Sequence, residues 1–211
     1  MAIYERILLD IICGELRPGE RVEEITLAAR YGAGRAGIRD ALQRLALEGL
    51  VERRPRMGTV VTSPSMIELQ QVFQLRVQLE GQCARLAASN ATHDERNAIS
   101  NALNQADAAI KHADWRQLVI LDCDFHRAVA IAAHNSWLQH VLATLHNNAL
   151  RFWHYSLPRR PIDALIREIA YHRDVAAAIN ARDPIAAEAA MRAVLDEFPA
   201  TVRDVFVGMG E

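Results

Sequence analysis

Two sets of side chains in this sequence have types and spacings that suit chemistry. The first is a carboxylate with two imidazoles. Asp122 and His126 lie four residues apart, about one helical turn, on the flank of an apolar stripe of Leu118, Leu121, Phe125 and Val129. His172 falls inside a second stripe made by Leu165, Ile169, Ala176 and Ile179. Such groups beside a core are costly to bury unpaired. They either satisfy one another, as a structural Asp–His hydrogen bond, or share a divalent ion that both members of an i,i+4 pair can reach. The second set is cationic. Arg35 and Arg39 share one face near a helix start, and Arg44, Arg53, Arg54 and Arg56 follow. Guanidinium forks there suit guanine O6/N7 or phosphate oxygens, or else they solvate the outer face of a packing helix.

Catalysis is not expected. The chain has no Gly-rich phosphate loop, nucleophile elbow, CxxC or H-E-x-x-H. The enzymatic alternative is a metal-dependent hydrolase on Asp122, His126 and a water, and no general base or nucleophile accompanies them.

The elements that must position these groups change character along the chain. Apolar periodicity predicts helices over 2–13, 24–31 and 35–48, with Tyr31-Gly32-Ala33-Gly34 as a tight turn and Gly49 closing the third. Residues 50–53 and 59–62 read as short strands with Pro55-Arg56-Met57-Gly58 as a hairpin tip. This is the order of a winged helix-turn-helix. Ser63-Pro64-Ser65 reads as a linker, with Pro64 suited to the first turn of the next helix. Helices are then predicted near 65–90, 93–112, 115–133, 136–157, 161–181 and 184–207. The fold class is therefore mainly α: a winged helix-turn-helix over 1–63, then an all-helical antiparallel bundle of about six helices over 64–211.

Composition agrees and narrows the setting. The 211 residues are 51% apolar and 24% charged, which excludes a disordered chain. No apolar run is long enough to span a bilayer, no signal peptide is evident, and three scattered cysteines suit a reducing compartment. A cytoplasmic protein without a membrane partner is expected. The net charge of −2 argues against a polyanion partner until it is counted locally. Residues 30–56 hold seven arginines against three carboxylates, net +4. That segment is the third helix and the wing, the parts of a winged helix that meet a duplex. Arg44, Arg54 and Arg56 join Arg35 and Arg39 as candidate contacts.

The run Arg17-Pro18-Gly19-Glu20, Leu27-Ala28, Gly34-Arg35-Ala36-Gly37-Ile38-Arg39-Asp40-Ala41-Leu42, Leu45, Glu48-Gly49-Leu50-Val51 and Arg56-Met57-Gly58-Thr59-Val60-Val61 resembles the DNA-binding domain of GntR-family transcription regulators over residues 3–63. The resemblance implies that Arg35 and Arg39 contact operator DNA and that Gly58 marks the wing tip. Two positions depart from the family pattern: Gly34 where Ser or Thr is usual, and Gly37 where Pro is frequent. Gly34 removes a capping hydroxyl, and Gly37 inside a helix costs roughly 1 kcal/mol relative to Ala. A less rigid recognition helix is expected.

Asp122-x-x-x-His126, Asn135 with Trp137-Leu138, His172 and the Ala-rich tail through Met191-Arg192 resemble the FCD ligand-binding domain over residues 66–200, with a helix count closer to its VanR branch. That likeness implies a divalent metal (Zn, Ni or Mn) held by Asp122, His126 and His172. The family's fourth ligand, another histidine, should fall 22 residues after His172, where this chain has Val194. Three ligands still leave positions for water or an effector carboxylate. His146, His154 or Cys123 would be the residues to compensate. The likeness also implies small organic-acid or sugar-acid effectors. Arg76 is the candidate carboxylate partner, its alternative being a surface ion pair with Glu80; Asn148 and Arg151 are further candidates. The expectation is a homodimeric repressor of double-stranded operator DNA, tuned by a small acid. A metal-free regulator whose bundle mainly dimerises is the other alternative.

Overall fold

A computed structural model describes residues 2–63 and 65–196. Pro64 and the expected extension of the last helix over 197–207 lie outside the described residues. The chain divides into two units, Met1–Leu69 and Gln70–Glu211, so the division falls in the first turn of a helix and not in the expected linker.

The first unit is built on α1 (Ile3–Ile12), α2 (Glu24–Tyr31) and α3 (Arg35–Leu47). Their apolar stripes meet in a core containing Ile7, Ile11, Leu27, Ile38, Leu42 and Leu45. Gly32 ends α2 in the left-handed conformation, φ 62°, and Gly34 takes the N-cap of α3 without a side-chain bond, as its missing hydroxyl predicts. The C-terminus of α3 closes in a Schellman arrangement. Gly49, φ 77°, donates its N–H to the Ala46 carbonyl, and Leu50 donates to Leu45. Leu45 and Leu50 are both wholly buried.

The wing follows as β1 (Val51–Arg54) and β2 (Gly58–Val61), antiparallel with Val51 opposite Val61 and Arg54 opposite Gly58. Residues 19–22 line the other edge of β2: the Val22 N–H donates to the Thr59 carbonyl and the Val61 N–H to the Glu20 carbonyl, both at 2.9 Å. The sequence offers Arg17-Pro18-Gly19 there, a turn signal and not a strand. Polar clamps fix α1 to its neighbours. Tyr31 Oη and Arg30 Nη2 donate to the buried Asp10 carboxylate at 2.7 and 2.8 Å. Tyr4 Oη donates to Glu48 while Arg44 lies over the Tyr4 ring at 3.6 Å.

The second unit is helical throughout its described residues: α4 (Met66–Asn90), α5 (His93–Asn101), α6 (Ala106–Lys111), α7 (Trp115–Ala132), α8 (Ser136–Ser156), α9 (Ile162–Asn180) and α10 (Pro184–Asp196), with a 3-10 turn at Leu157–Arg159. Thr92 and Glu95 form a capping box on α5, and Asp114 and Asn135 cap α7 and α8. The single helix expected over 93–112 is two helices, so α4 to α10 number seven where about six were expected. The chain turns at 102–105, where the Asn104 side-chain amide donates to Asn101 Oδ1 and the buried Leu103 passes its carbonyl to the Ala106 N–H. Asparagine side chains competing for local hydrogen bonds end α5 without glycine or proline. Phe125 on α7 is wholly buried and meets the rings of His126 and His172 edge-on, at centroid distances of 5.5 and 5.1 Å.

The α3 helix stays continuous across Gly37, and a Cβ built there meets only Ile3 Cγ2, at 4.0 Å. Gly37→Ala is therefore expected to stabilise the protein by roughly 0.5–1 kcal/mol through helix propensity. Urea unfolding followed by circular dichroism checks this, and a lowered midpoint would show that the site needs glycine.

Candidate functional site

Four helices of the second unit each turn polar side chains into one buried cluster. On α7, Asp122 and His126 sit one turn apart on the buried face, as their spacing predicts. From α9, His172 replaces an apolar residue in the stripe of Leu165, Ile169, Val175 and Ile179. His146 does the same on α8, between Leu142 and Leu150. Arg76 and Glu80 interrupt the buried positions of α4, which otherwise include Leu69, Phe73, Cys83, Ala84 and Ala87. All six of these polar residues are buried or nearly so.

The contacts divide the donors. His126 Nδ1 lies 2.7 Å from Glu80 Oε2, and His172 Nδ1 lies 2.8 Å from the Glu168 carbonyl oxygen. An imidazole nitrogen that close to an oxygen acceptor carries a proton, so the proton sits on Nδ1 in both rings and leaves Nε2 facing inward. The two Nε2 atoms are 3.3 Å apart, and they lie 3.8 Å (His126) and 3.4 Å (His172) from Asp122 Oδ1. Two imidazole nitrogens and a carboxylate oxygen converging this way demand positive charge between them, either a proton on His172 or a cation. Donor atoms 2.0–2.2 Å from a tetrahedral zinc ion stand about 3.3–3.6 Å apart, so the spacing fits a small divalent metal. Glu80 Oε2 and His146 Nε2 are also fully buried without an aligned hydrogen-bond partner. They lie 2.7 Å from His126 Nδ1 and 3.1 Å from Asp122 Oδ2 respectively, close contacts that fall short of hydrogen-bond alignment.

Titration follows from these contacts. Burial pushes the Asp122 carboxyl up, but His126, His146 and His172 outweigh it and hold the group well below the usual range. Arg76 and then His126 overcome burial at Glu80 and keep it ionised. Burial pushes His146 down to about 4. At His172 burial opposes the charge, yet the contact with Asp122 raises the pKa.

A cavity of about 20 Å³ opens on the cluster, room for an ion or a water and little more. Its lining includes Asp122, His126, His172, Arg76, Trp153 and Val194. Val194 therefore faces the place where a fourth imidazole was expected. Arg76 lines this cavity, and its ion pair with Glu80, Nε to Oε1 at 2.5 Å, is buried and not on the surface. The other two effector candidates are not brought there. Asn148 donates its side-chain amide to the Thr144 carbonyl, and Arg151 is buried on α8 without lining the cavity. Glu80 is the member that sequence reasoning missed, read there only as a surface partner of Arg76; His146 was read only as one of three residues that could compensate for Val194. The available signal was a polar residue inside an apolar helical stripe, the same signal that marked His172.

In the first unit the expected DNA-contacting residues lie on α3 and the wing, all exposed at the residue level. Arg39 is held by two bonds from Nε and Nη2 to Glu24 of α2, at 3.1 and 3.0 Å. That contact, with the nearby charges of Arg35 and Arg53, lowers the Glu24 carboxyl. Arg35, Arg39 and Arg53 thus cluster about one acidic side chain. Arg44 pairs with Glu48 and Arg54 with Glu52. Arg56 adopts φ 65° at the wing tip, beside Gly58 at φ 81°.

The family model described as bacterial regulatory proteins, gntR family, matches residues 1–61, and the FCD domain model matches residues 71–197. The HTH-type transcriptional repressor RspR of Escherichia coli is 29% identical over 208 residues, covering 96% of this chain and 88% of that protein. The probable D-xylose utilization operon transcriptional repressor of Paenarthrobacter nicotinovorans is 30% identical over 189 residues, covering 90% and 82%. Among solved structures, E. coli McbR/YncC superposes with a TM-score of 0.84 at 20% identity over 97% of this chain and 96% of that one. No helix among the described residues is long and apolar enough to cross a membrane.

The buried imidazole gives a pH signature. Folding favours neutral His146, so its contribution is complete above the unfolded value of 6.5 and is lost as pH falls towards about 4. The depressed carboxyls of Asp122 and Glu80 lose their contribution in the same direction, below about pH 4. The raised pKa of His172 stabilises fully below its unfolded value, so it does not mask this window. Chelator-treated protein should therefore lose stability from pH 6.5 to 4 in urea titrations, and His146→Gln should flatten the decline; an equal slope in the variant would remove His146 as its source.

Proposed function

This chain belongs to the GntR family of bacterial regulatory proteins and carries its FCD domain, a DNA-binding transcriptional regulator and not an enzyme; from that premise we propose a cytoplasmic homodimeric repressor that senses a small organic acid through a metal in its helical unit. The observation that carries the sensing role is the convergence of Asp122, His126 and His172 on one cavity. Asp122 Oδ1 and the two Nε2 atoms would hold the ion, which supplies Lewis acidity towards an effector carboxylate. Charge supports this. Arg76 offsets Glu80, and imidazoles that ligate an ion do so in the neutral form, so Asp122 would be the net charge at the ion. A dication makes the cluster net positive, and an anionic ligand then gains by entering. Val194 leaves the ion short of a protein ligand, which suits an exchangeable carboxylate or water. The cavity is too small for a sugar acid, so binding requires it to widen. Both relatives are named as repressors, which favours repression.

On DNA, Arg35 and Arg39 would read the major groove from α3, with Arg44, Arg54, Arg56 and Gly58 placed at the backbone. Two copies would meet a palindromic operator about a two-fold axis. Helix α4 starts at the DNA-binding unit and carries Arg76 and Glu80 into the sensing unit. Effector and operator are then linked: whichever ligand prefers one arrangement changes affinity for the other by the same factor.

Gel shifts on the DNA upstream of the protein's own coding sequence test the first half. Binding should weaken steeply with salt, and Arg35→Ala with Arg39→Ala should abolish the specific complex; salt-insensitive binding, or a complex unaffected by both changes, would sink the claim. Elemental analysis of chelator-free protein tests the second. One zinc, nickel or manganese ion per chain is expected, lost in His126→Ala, and small acids should raise the melting temperature more with metal than without. A full response to acids with no bound ion would select a metal-free pocket instead.

A further inference from the structure

We infer that His146 and Glu80 are positioning residues for the metal centre, His146 acting through Asp122 and Glu80 through His126, and that His146 does not replace the imidazole missing at Val194. The inference rests on the metal reading above. It begins from a guanidinium. Arg76 Nη2 lies 3.0 Å from His146 Nδ1, and an arginine can only donate. Nδ1 is therefore the acceptor, and the ring proton of neutral His146 sits on Nε2. A metal bond through Nε2 needs the lone pair that this proton occupies. His146 is barred from ligation while Arg76 stays in place, and Arg76 is held by its buried bond to Glu80 at 2.5 Å. Displacing it would strand buried charges on both sides.

That proton lies close to Asp122, although the contact lacks full hydrogen-bond alignment. His146 Nε2 lies 3.1 Å from Asp122 Oδ2, while Asp122 Oδ1 faces the Nε2 atoms of His126 and His172. The carboxylate is thus divided: Oδ2 towards an N–H dipole, Oδ1 towards the ion position. Glu80 is divided in the same way, with Oε1 accepting from Arg76 Nε and Oε2 lying 2.7 Å from His126 Nδ1. A carboxylate behind a ligating imidazole fixes its tautomer and raises its basicity. Arg76 anchors both arms from α4.

Cobalt(II) titration of the full chain tests this, because the visible ligand-field bands report the ligand set separately from affinity. Wild type, His146→Gln, His146→Leu and Glu80→Gln are compared after chelator treatment. Saturated spectra should superimpose in all four. His146→Leu should bind cobalt about 10- to 100-fold more weakly. His146→Gln, whose amide N–H still faces Asp122, should stay close to wild type, and Glu80→Gln should be weakened. A saturated spectrum altered in either His146 variant would make His146 a ligand and overturn the inference. Wild-type affinity in His146→Leu and Glu80→Gln would overturn it too. Should His146→Leu fail to fold by circular dichroism, the His146→Gln spectrum and the Glu80→Gln affinity still decide. A wild type that takes up no cobalt overturns the metal reading itself, whereas uptake with unaffected variants overturns only the positioning roles.

Discussion

A carboxylate at the centre of a helical bundle keeps its charge only where positive groups or proton donors surround it. Asp122 is that carboxylate, and the second unit is organised to satisfy it. Helix α7 brings Asp122 and His126, α8 brings His146, and α9 brings His172, each from a position that periodicity would otherwise give to an apolar residue. Helix α4 adds Arg76 and Glu80, a buried pair that adds no net charge but orients two of the imidazoles. Burying such a set is weak evidence for stability, since apolar replacements often fold as well or better.

The first unit uses charge in the opposite way. Its arginines stay at the surface, where they cost little to solvate and remain available to a polyanion. The acidic residues there do not cancel them so much as hold them. Glu24 grips Arg39 through two bonds and feels the charges of Arg35 and Arg53 nearby. Glu48 ties Arg44 and Tyr4 together across α1 and α3. One protein thus contains an exposed cationic surface ordered by carboxylates and a buried anionic centre ordered by imidazoles.

Much of this was legible in the chain. Stripes at 3.6-residue spacing located the helices because burial on one face requires that period. Gly32 and Gly49 marked helix ends because both need positive φ. Asp122 and His126 declared a shared face through their i,i+4 spacing, which is local geometry. Other features depended on distant parts of the chain. The pairing of residues 20–22 with β2 is a long-range contact with no pattern of its own. The break between α5 and α6 turned on asparagine side chains in an Ala-rich stretch with no glycine or proline to announce it.

By itself the sequence determined the two-part architecture, the local +4 charge on the recognition helix and wing, and a carboxylate–imidazole set. Those are properties of spacing and composition, whereas the reading of Val194 as a missing ligand came from the resemblance to the FCD domain. Tertiary structure alone decided that His146 and Glu80 join the set while Asn148 and Arg151 do not line the cavity, and that the Arg76–Glu80 pair is buried. The physical reason is that a helix repeats its faces every few residues. Spacing says which residues lie together on one helix, but the packing of neighbouring helices selects which of those faces loses its water.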